Sequence, residues 1–538
     1  MLSHQEVFIV GVAIAVVVLV SRVAGRRIGV PDAVLLVVLG LAVSFVPGLP
    51  TVRLDPQVVF LGFLPPLVYH AGFFTAPRET KSEALPIAVL AVVLVLATTA
   101  SVAAAAHLVL PGLGWAGAFT LGAVVAPTDP VAATSVLKRL GAPTRITTII
   151  EGESLVNDGV ALTIFGLAIA AVSGHFSVGH GVVAFIEVAA GGVAYGVAVG
   201  WVISRLRRYV RDANARIVVS LVTPYLAYIP ADQLGLSGVL ATVAAGFFLG
   251  TRGSGLFQAA SRLVSNTFWE VLVFLLEALL FVLLGLQFRA IVAGIDRIPV
   301  GKVVAVAAVV TAVVIAVRLA WQAVVPPVEG LVPGLDRGMA TMPWRQRMVI
   351  GWSGIRGAIS FAAALSIPVQ VAGRPFPDRN LVLFVTIVVV LVTLVGQATT
   401  LPLLLRALGV AEGPGRRGET VRARLTAARA ALHRLGELEA GDEIDESGAR
   451  VLRQLYEMRV DQLAELEEDG TGEGAEDAEE HEERRTAPVR LDLVGTERRT
   501  LRQLYDKGEI GIHTLRDLVR ELDLEEARLR RQAGDRGH

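Results

Sequence analysis

Long apolar runs alternate with short polar segments over the first three quarters of the chain. A helix needs about 17–25 mostly apolar residues to cross a bilayer. Thirteen runs approach or reach that length, at 6–24, 29–47, 57–75, 84–109, 113–137, 148–172, 181–205, 215–230, 236–251, 268–289, 300–324, 348–370 and 380–408. This pattern predicts an all-α polytopic membrane protein of about thirteen transmembrane helices. Proline, glycine and polar residues interrupt 113–137 and 348–370, which predicts broken helices there.

The C-terminal quarter of the chain differs sharply in composition from the rest. The whole sequence is 53% hydrophobic and only 18% charged, whereas soluble domains carry about 25% charged residues. Residues 411–538 hold 31 of the 49 acidic and 22 of the 49 basic residues, although the net charge of the chain is zero. The split predicts a transmembrane domain at 1–410 and a charged, mostly helical regulatory tail at 411–538. A Gly-, Glu- and Ala-rich stretch near 468–486 is typical of disorder.

The loops between the apolar runs carry unequal numbers of basic residues. Alternate loops, counted together with the adjoining ends of the runs, fall into two sets, and one set holds nineteen Lys and Arg residues while the other holds six. Because cytoplasmic loops are enriched in Lys and Arg, the basic set is expected in the cytoplasm. The N-terminus is then outside and the tail is cytoplasmic, in a multi-pass protein of the plasma membrane. The first run lacks a basic leader and a cleavage site, so we interpret it as a retained span.

The densest polar pattern inside an apolar run is GAVVAPTDPVAATSVL, which begins at Gly122. Pro127 and Pro130 flank Thr128 and Asp129. Two prolines three residues apart predict an unwound segment in mid-membrane. Such a segment is tolerated only where it lines a cavity or packs within protein. Asp129 suits the N-cap of a half-helix that begins at Pro130. A cap without any contact to a cation is the alternative interpretation.

The next apolar run begins with EGESLVNDGVALTIF and carries two stripes of polar side chains. Glu153 and Asn157 are four residues apart, as are Ser154 and Asp158, so each pair lies on one helix face. Hard cations prefer oxygen ligands of this kind. Asp158 can bind a cation when it is ionised or hold a proton when it is neutral. A purely structural, paired Asp158 is the alternative.

A buried arginine is predicted in GWSGIRGAISFAAALSIP, where glycines surround Arg356. An arginine inside the membrane needs a partner. Glu153 is the first candidate and Asp129 the second, and backbone carbonyls at the end of a half-helix are a further possibility. Intramembrane Glu277 is expected to pair as well, with Arg318 as its candidate partner.

His70 follows a double proline in FLGFLPPLVYHAGFF. Histidine titrates near neutral pH, so His70 is a candidate pH element. An interfacial histidine without such a role is the alternative. The sequence has no cysteine, which excludes disulfides and thiolate chemistry.

Four motifs occur in the order LPPLVYHAG, APTDPVA, GESLVND and GIRGAISFA. Over residues 1–410 this series resembles the electroneutral monovalent-cation/proton antiporters, the bacterial sodium/proton exchanger family. The resemblance implies a thirteen-span fold of inverted repeats with two interrupted, crossing helices. It also implies a homodimer in which a core domain moves. The tail has no part in the resemblance.

The resemblance further implies roles for individual residues in cation binding. Asp158 matches the aspartate that carries the cation and the proton in turn. Thr128 and Ser154 match oxygen ligands of the Na⁺ at Asp158. Asn157 matches the polar neighbour that marks the electroneutral branch, where a second aspartate would mark the electrogenic one.

Three other positions match residues around the cation site. Asp129 matches the acid of the crossed, unwound helices, and Glu153 and Arg356 match a buried ion pair that holds core helices together. The sequence departs from the pattern at His70, where many relatives place an acid. A histidine cannot serve as a carboxylate does, so the role of that acid is not carried over to His70.

The expected function is secondary active exchange of Na⁺, or another monovalent cation, for H⁺ by alternating access. A K⁺/H⁺ antiporter would use the same residues. A channel is disfavoured because the sequence has no filter-like repeat, and a membrane sensor leaves Asp129, Asp158 and Arg356 unexplained. The expected partners are cations, protons, lipid and a second copy of the chain, with no nucleic acid. We expect no enzymatic activity and no cofactor.

Overall fold

The computed structural model describes residues 4–28, 32–46, 56–75, 77–172, 178–210, 212–253, 259–295, 298–329, 338–410, 415–440, 446–468 and the single positions 522, 524 and 526. The chain divides into two compact units, 1–411 and 412–538. Nearly all described residues are helical, which confirms the all-α prediction.

The described residues of the first unit form eighteen α-helices. The first nine are α1 His4–Ile28, α2 Asp32–Ser44, α3 Pro56–Phe74, α4 Pro77–Ser82, α5 Ala84–Ala88, α6 Val95–Val109, α7 Gly114–Val125, α8 Pro130–Arg139 and α9 Thr144–Ala171. The next nine are α10 Val178–Leu206, α11 Ala213–Gln233, α12 Gly238–Gly253, α13 Ala259–Ala293, α14 Val300–Glu329, α15 Trp344–Trp352, α16 Ala358–Leu365, α17 Arg379–Val392 and α18 Ala398–Leu408. π-helical turns at Val89–Leu94 and Thr393–Gln397 join α5 to α6 and α17 to α18.

Each of the thirteen predicted apolar runs coincides with a helix or with a set of consecutive helices. Eight segments of the described chain are long and apolar enough to cross a membrane, and three shorter apolar helices accompany them. The membrane-spanning character of the fold is therefore confirmed. The number thirteen stays a prediction.

Two broken helices form the centre of this unit. The first consists of α7 and α8, which are separated by non-helical residues 126–129, as the flanking prolines predict. The second consists of α15 and α16, which are separated by 353–357. Buried side chains of α7 and α16 belong to the largest hydrophobic cluster, together with those of α3, α6, α9, α13, α14 and α17. Buried side chains of α8 and α15 belong to a second cluster. This packing encloses the non-helical segments in protein, where irregular backbone is tolerated at membrane depth.

The short connection after α16 is a β-hairpin. Its strands are β1 Gln370–Val371 and β2 Arg374–Pro375, which pair antiparallel. Ala372 and Gly373 form the turn, and both have positive φ angles.

The described residues of the second unit include two helices, α19 Gly415–Ala440 and α20 Glu446–Glu468. They pack through Leu425, Ala428 and Leu463. The predicted disordered stretch near 468–486 lies outside the described residues, apart from Glu468.

Candidate functional site

The two broken helices meet at their non-helical segments. The backbone N–H of Asp129 donates to the carbonyl of Ile355 at 2.7 Å. Arg356 is 1% exposed, and its Nε donates to the Val125 carbonyl at 3.0 Å. Its Nη1 donates to the carbonyl of Gly354. Arg356 thus places positive charge at the C-terminal end of α7, where the helix dipole favours a cation.

Asp129 lies at the N-terminal ends of α8 and α16, the second halves of the two broken helices. It is the N-cap of α8, and its carboxylate accepts from the backbone N–H of Val131 at 2.9 Å. The same carboxylate lies against Gly357 and the backbone N–H of Ala358, where α16 begins. One negative charge therefore faces two positive helix ends.

A substitution at Gly357 tests this double cap. A Cβ atom at Gly357 would lie 1.8 Å from an oxygen of Asp129, so Gly357→Ala must displace the carboxylate. We expect a destabilisation of about 1–3 kcal/mol from the overpacking and a large loss of transport, measured by thermal unfolding and by flux. Gly166→Ala on α9 is the matched control because its Cβ would meet no atom within 4 Å. Equal behaviour of the two variants would contradict the double cap.

The hydroxyl group of Thr128 connects the non-helical segment to α9. Asn157 Nδ2 donates to Thr128 Oγ1 at 2.8 Å, and the Thr128 and Ser154 hydroxyls are 3.2 Å apart. Thr128 Oγ1 also lies 3.5 Å from a carboxylate oxygen of Glu153. These four residues are all buried. The structure thus brings Thr128 of the first motif next to side chains of the second motif that lie 25 or more residues away in the sequence.

Asp158 faces a cavity of about 310 Å³ next to this network. The residue is 5% exposed, yet within the described part of the chain no hydrogen bond or ion pair engages its side chain. Polar residues that line the cavity with it include Thr128, Asp129, Ser154, His70 and Glu277. A buried carboxylate without a protein partner is costly. An ion or a proton that enters the cavity would lower that cost.

The structure corrects the predicted partner of Glu153. Arg318 on α14, not Arg356, binds it, through Nη1 to Oε1 at 2.5 Å and Nη2 to Oε2 at 2.8 Å. Arg318 and Glu153 are 3% and 1% exposed. Arg318 fits there because Gly354 has no side chain: a Cβ atom would lie 2.3 Å from Arg318 Cδ. Arg356 binds backbone carbonyls instead, in agreement with the third of its predicted alternatives.

The correction also removes Arg318 as a partner for Glu277. Glu277 on α13 lines the cavity, as does His70, whose ring lies 4.6 Å from that of Phe74. Sequence reasoning did not place Glu277 at the cavity, nor did it place Lys138 and Glu151 there. The signal for Glu277 was available, since it is an ionisable residue inside an apolar run.

Two broken helices cross beside a buried carboxylate that has no bonded partner in the described part of the chain, and this arrangement defines a class of protein. Broken helices with their ends at a mid-membrane site are the architecture of secondary transporters. The protein is therefore a multi-pass membrane transporter.

The comparisons with known proteins identify the family. A model of the transmembrane sodium/hydrogen exchanger family matches residues 12–407. An uncharacterised Na⁺/H⁺ exchanger of Mycobacterium tuberculosis is 35% identical over 97% of this chain and 96% of its own length. A sodium, potassium, lithium and rubidium/H⁺ antiporter of Bacillus subtilis is 33% identical over 74% of this chain and 62% of its own. The chain belongs to the sodium/hydrogen exchanger family.

A solved structure shows the same fold. The sodium proton antiporter of Methanocaldococcus jannaschii aligns with a TM-score of 0.58 at 19% identity. The alignment covers 75% of this chain and 99% of that antiporter. The predicted antiporter fold and family are thus confirmed.

Proposed function

We propose that this protein exchanges Na⁺, or another monovalent cation, for H⁺ with one charge moved each way. The observation that carries the proposal is Asp158, a buried carboxylate that faces a cavity and has no bonded partner among the described residues. Membership of the sodium/hydrogen exchanger family supports exchange of a cation for a proton.

Asp158 is the group that holds the cation and the proton in turn. Its charge attracts a cation, and the hydroxyl oxygens of Ser154 and Thr128 supply further ligands of the type a hard cation prefers. A proton on the carboxylate removes that charge, so the two occupants exclude each other. Asn157 adds an amide without adding charge, so the loaded site carries the same charge with either occupant, which supports electroneutral exchange.

The position of the site supports alternating access. Asp158 lines the same cavity as Thr128, Asp129 and Gly357, which lie in the two non-helical segments of the broken helices. We propose that movement of a core domain, which includes α7, α8, α15 and α16, exposes the cavity to one side of the membrane at a time. The family resemblance supports a homodimer in the plasma membrane. The activity is transport and not catalysis, and it requires no cofactor.

The cation that is exchanged depends on the oxygen ligands at Asp158. Carboxylate and hydroxyl oxygens bind Na⁺, Li⁺ and K⁺ alike, and the name of the Bacillus subtilis relative includes sodium, potassium, lithium and rubidium. Exchange of K⁺ for H⁺ is therefore the alternative activity at the same residues.

Purified protein in liposomes that contain a pH dye tests the proposed function. Addition of Na⁺, K⁺ or Li⁺ outside is expected to alkalinise the lumen at the same rate with and without a clamped membrane potential. The ion with the lowest KM identifies the substrate. A rate that follows the potential would contradict electroneutrality, and no proton movement with any cation would contradict exchange.

The proposed orientation can be tested with single cysteines because the chain has none of its own. Arg208 and Arg374 are exposed and lie in loops of the two opposite sets. A membrane-impermeant maleimide is expected to label Arg374→Cys on intact cells and Arg208→Cys only after permeabilisation. The reverse result would place the N-terminus and the tail on the opposite sides.

A further inference from the structure

An ion pair lies on the wall of the cavity, apart from the proposed cation ligands. Lys138, in the last turn of α8, binds Glu151 on α9 with Nζ 2.7 Å from Oε1. Both side chains line the cavity. They are 55% and 35% exposed, whereas Asp158 is 5% exposed. Lys138 and Glu151 therefore mark the exposed end of the cavity, which we call the cavity mouth.

Glu151 shares a helix face with the proposed cation ligands. Glu151, Ser154 and Asp158 follow one another at i, i+3 and i+7 on α9, so they lie along one stripe. A rise of 1.5 Å per residue separates Glu151 from Asp158 by about 10 Å along the helix axis. A cation that enters from the mouth thus meets Glu151 before it meets Asp158.

The charge of Lys138 opposes such entry. An ammonium group bound to Glu151 neutralises the carboxylate that would otherwise attract a cation to the mouth, and it competes with that cation for the same oxygen. The pair is too exposed to contribute much to folding, since exposed ion pairs stabilise proteins by about 0–1 kcal/mol. Its electrostatic effect on cations in the cavity is therefore separable from any effect on stability.

We propose that the Lys138–Glu151 pair sets the cation affinity of the exchanger, with Glu151 attracting the cation and Lys138 restraining that attraction. This inference rests on the proposed function, because it needs a cation to enter this cavity. Both residues act on the cation from the mouth and leave the ligands at Asp158 unchanged. Their effects on KM must then be opposite in sign, whereas a purely structural pair would give effects of the same sign.

The size of the effect follows from Coulomb's law. A unit charge about 10 Å from the cation site changes its binding constant roughly twofold in a water-like medium and more than tenfold at an effective dielectric constant of about 20. For a mouth that is partly exposed we expect about a threefold to tenfold change in KM. The effect must shrink with salt, because the Debye length falls from about 30 Å at 0.01 M to about 8 Å at 0.15 M.

Lys138→Gln, Glu151→Gln and the double variant, assayed in liposomes with Na⁺ in low and moderate choline chloride, test the proposal. Lys138→Gln is expected to lower the KM for Na⁺ and Glu151→Gln to raise it, each with a maximal rate within about twofold of the parent. The double variant is expected to return close to the parent KM. Arg208→Gln is the matched control, since it removes one positive charge from an exposed position that does not line the cavity.

Two outcomes would overturn the inference. One is a KM that rises in both single variants, which would make the pair structural. The other is a KM for Lys138→Gln equal to that of Arg208→Gln, which would reduce the effect to general surface charge. Should Lys138→Gln fold poorly, Lys138→Met, which also removes the charge and keeps a long side chain, must lower the KM or the inference fails. A parent protein that exchanges no cation would instead refute the proposed function itself.

Discussion

Asp158→Asn is expected to reduce cation-driven proton movement to the level of empty liposomes. The substitution keeps the shape of the side chain and removes the one charge that a cation and a proton share in the proposed mechanism. The fold should survive, because no hydrogen bond or ion pair of Asp158 is lost among the described residues. Thermal stability without cation should even be equal or higher, since burying a neutral amide costs less than burying a carboxylate.

Binding of Na⁺ gives an independent measurement of the same change. A ligand at 100 times its Kd stabilises the folded protein by about 2.7 kcal/mol. Na⁺ should therefore raise the melting temperature of the parent and leave that of Asp158→Asn unchanged. Asp232→Asn is the control, since Asp232 is exposed at the end of α11. Residual Na⁺ exchange in Asp158→Asn, or equal stabilisation by Na⁺, would assign cation binding to another group.

The sequence predicts the local features of this site because they depend on neighbours along the chain. Pro127 and Pro130 unwind one helix, since proline removes a donor wherever it stands. Helical spacing places Ser154 and Asp158 on one face. The N-cap role of Asp129 follows from its position just before Pro130. Each of these inferences needs only a few consecutive residues.

Features that depend on distant packing could not be predicted in the same way. Any intramembrane arginine can form an ion pair with Glu153. Arg318 rather than Arg356 does so because Gly354 has no side chain to occupy the space that the Arg318 side chain fills. The cavity combines side chains of α3, α8, α9 and α13, and periodicity along one helix does not show which other helices face it. The π-helical turn at Val89–Leu94 consists only of Val, Leu and Ala, and nothing in that apolar run distinguishes it from α-helix.

The charged side chains at the crossing point of the broken helices lie next to helix ends of opposite partial charge. Asp129 faces the N-terminal ends of α8 and α16, while Arg356 binds the carbonyl at the end of α7. Arg318 reaches the Ile350 carbonyl near the end of α15 at 3.3 Å as well as Glu153. Every one of these charges has partners, and Asp158 differs from them because it has none within the described chain. This contrast distinguishes the charged residues that support the site from Asp158, the group proposed to carry the cation.

Glu153→Gln is expected to destabilise the protein strongly. The change leaves the guanidinium of Arg318 buried without its carboxylate, and removal of one partner from a buried ion pair costs about 3–5 kcal/mol. The same substitution two residues earlier, Glu151→Gln, breaks an exposed pair and should cost at most about 1 kcal/mol. The measurements are the melting temperature in detergent and the fraction of protein that elutes as a single species.

The double variant Glu153→Gln/Arg318→Gln distinguishes loss of the pair from loss of packing. Because the two side chains interact directly, their effects should not add. The double variant, which leaves no unpaired charge, is expected to be more stable than Glu153→Gln alone. Similar melting temperatures for Glu153→Gln and Glu151→Gln would show that the Glu153–Arg318 pair does not hold α9 to α14. A double variant less stable than either single variant would mean that amide packing, and not uncompensated charge, limits the fold at this position.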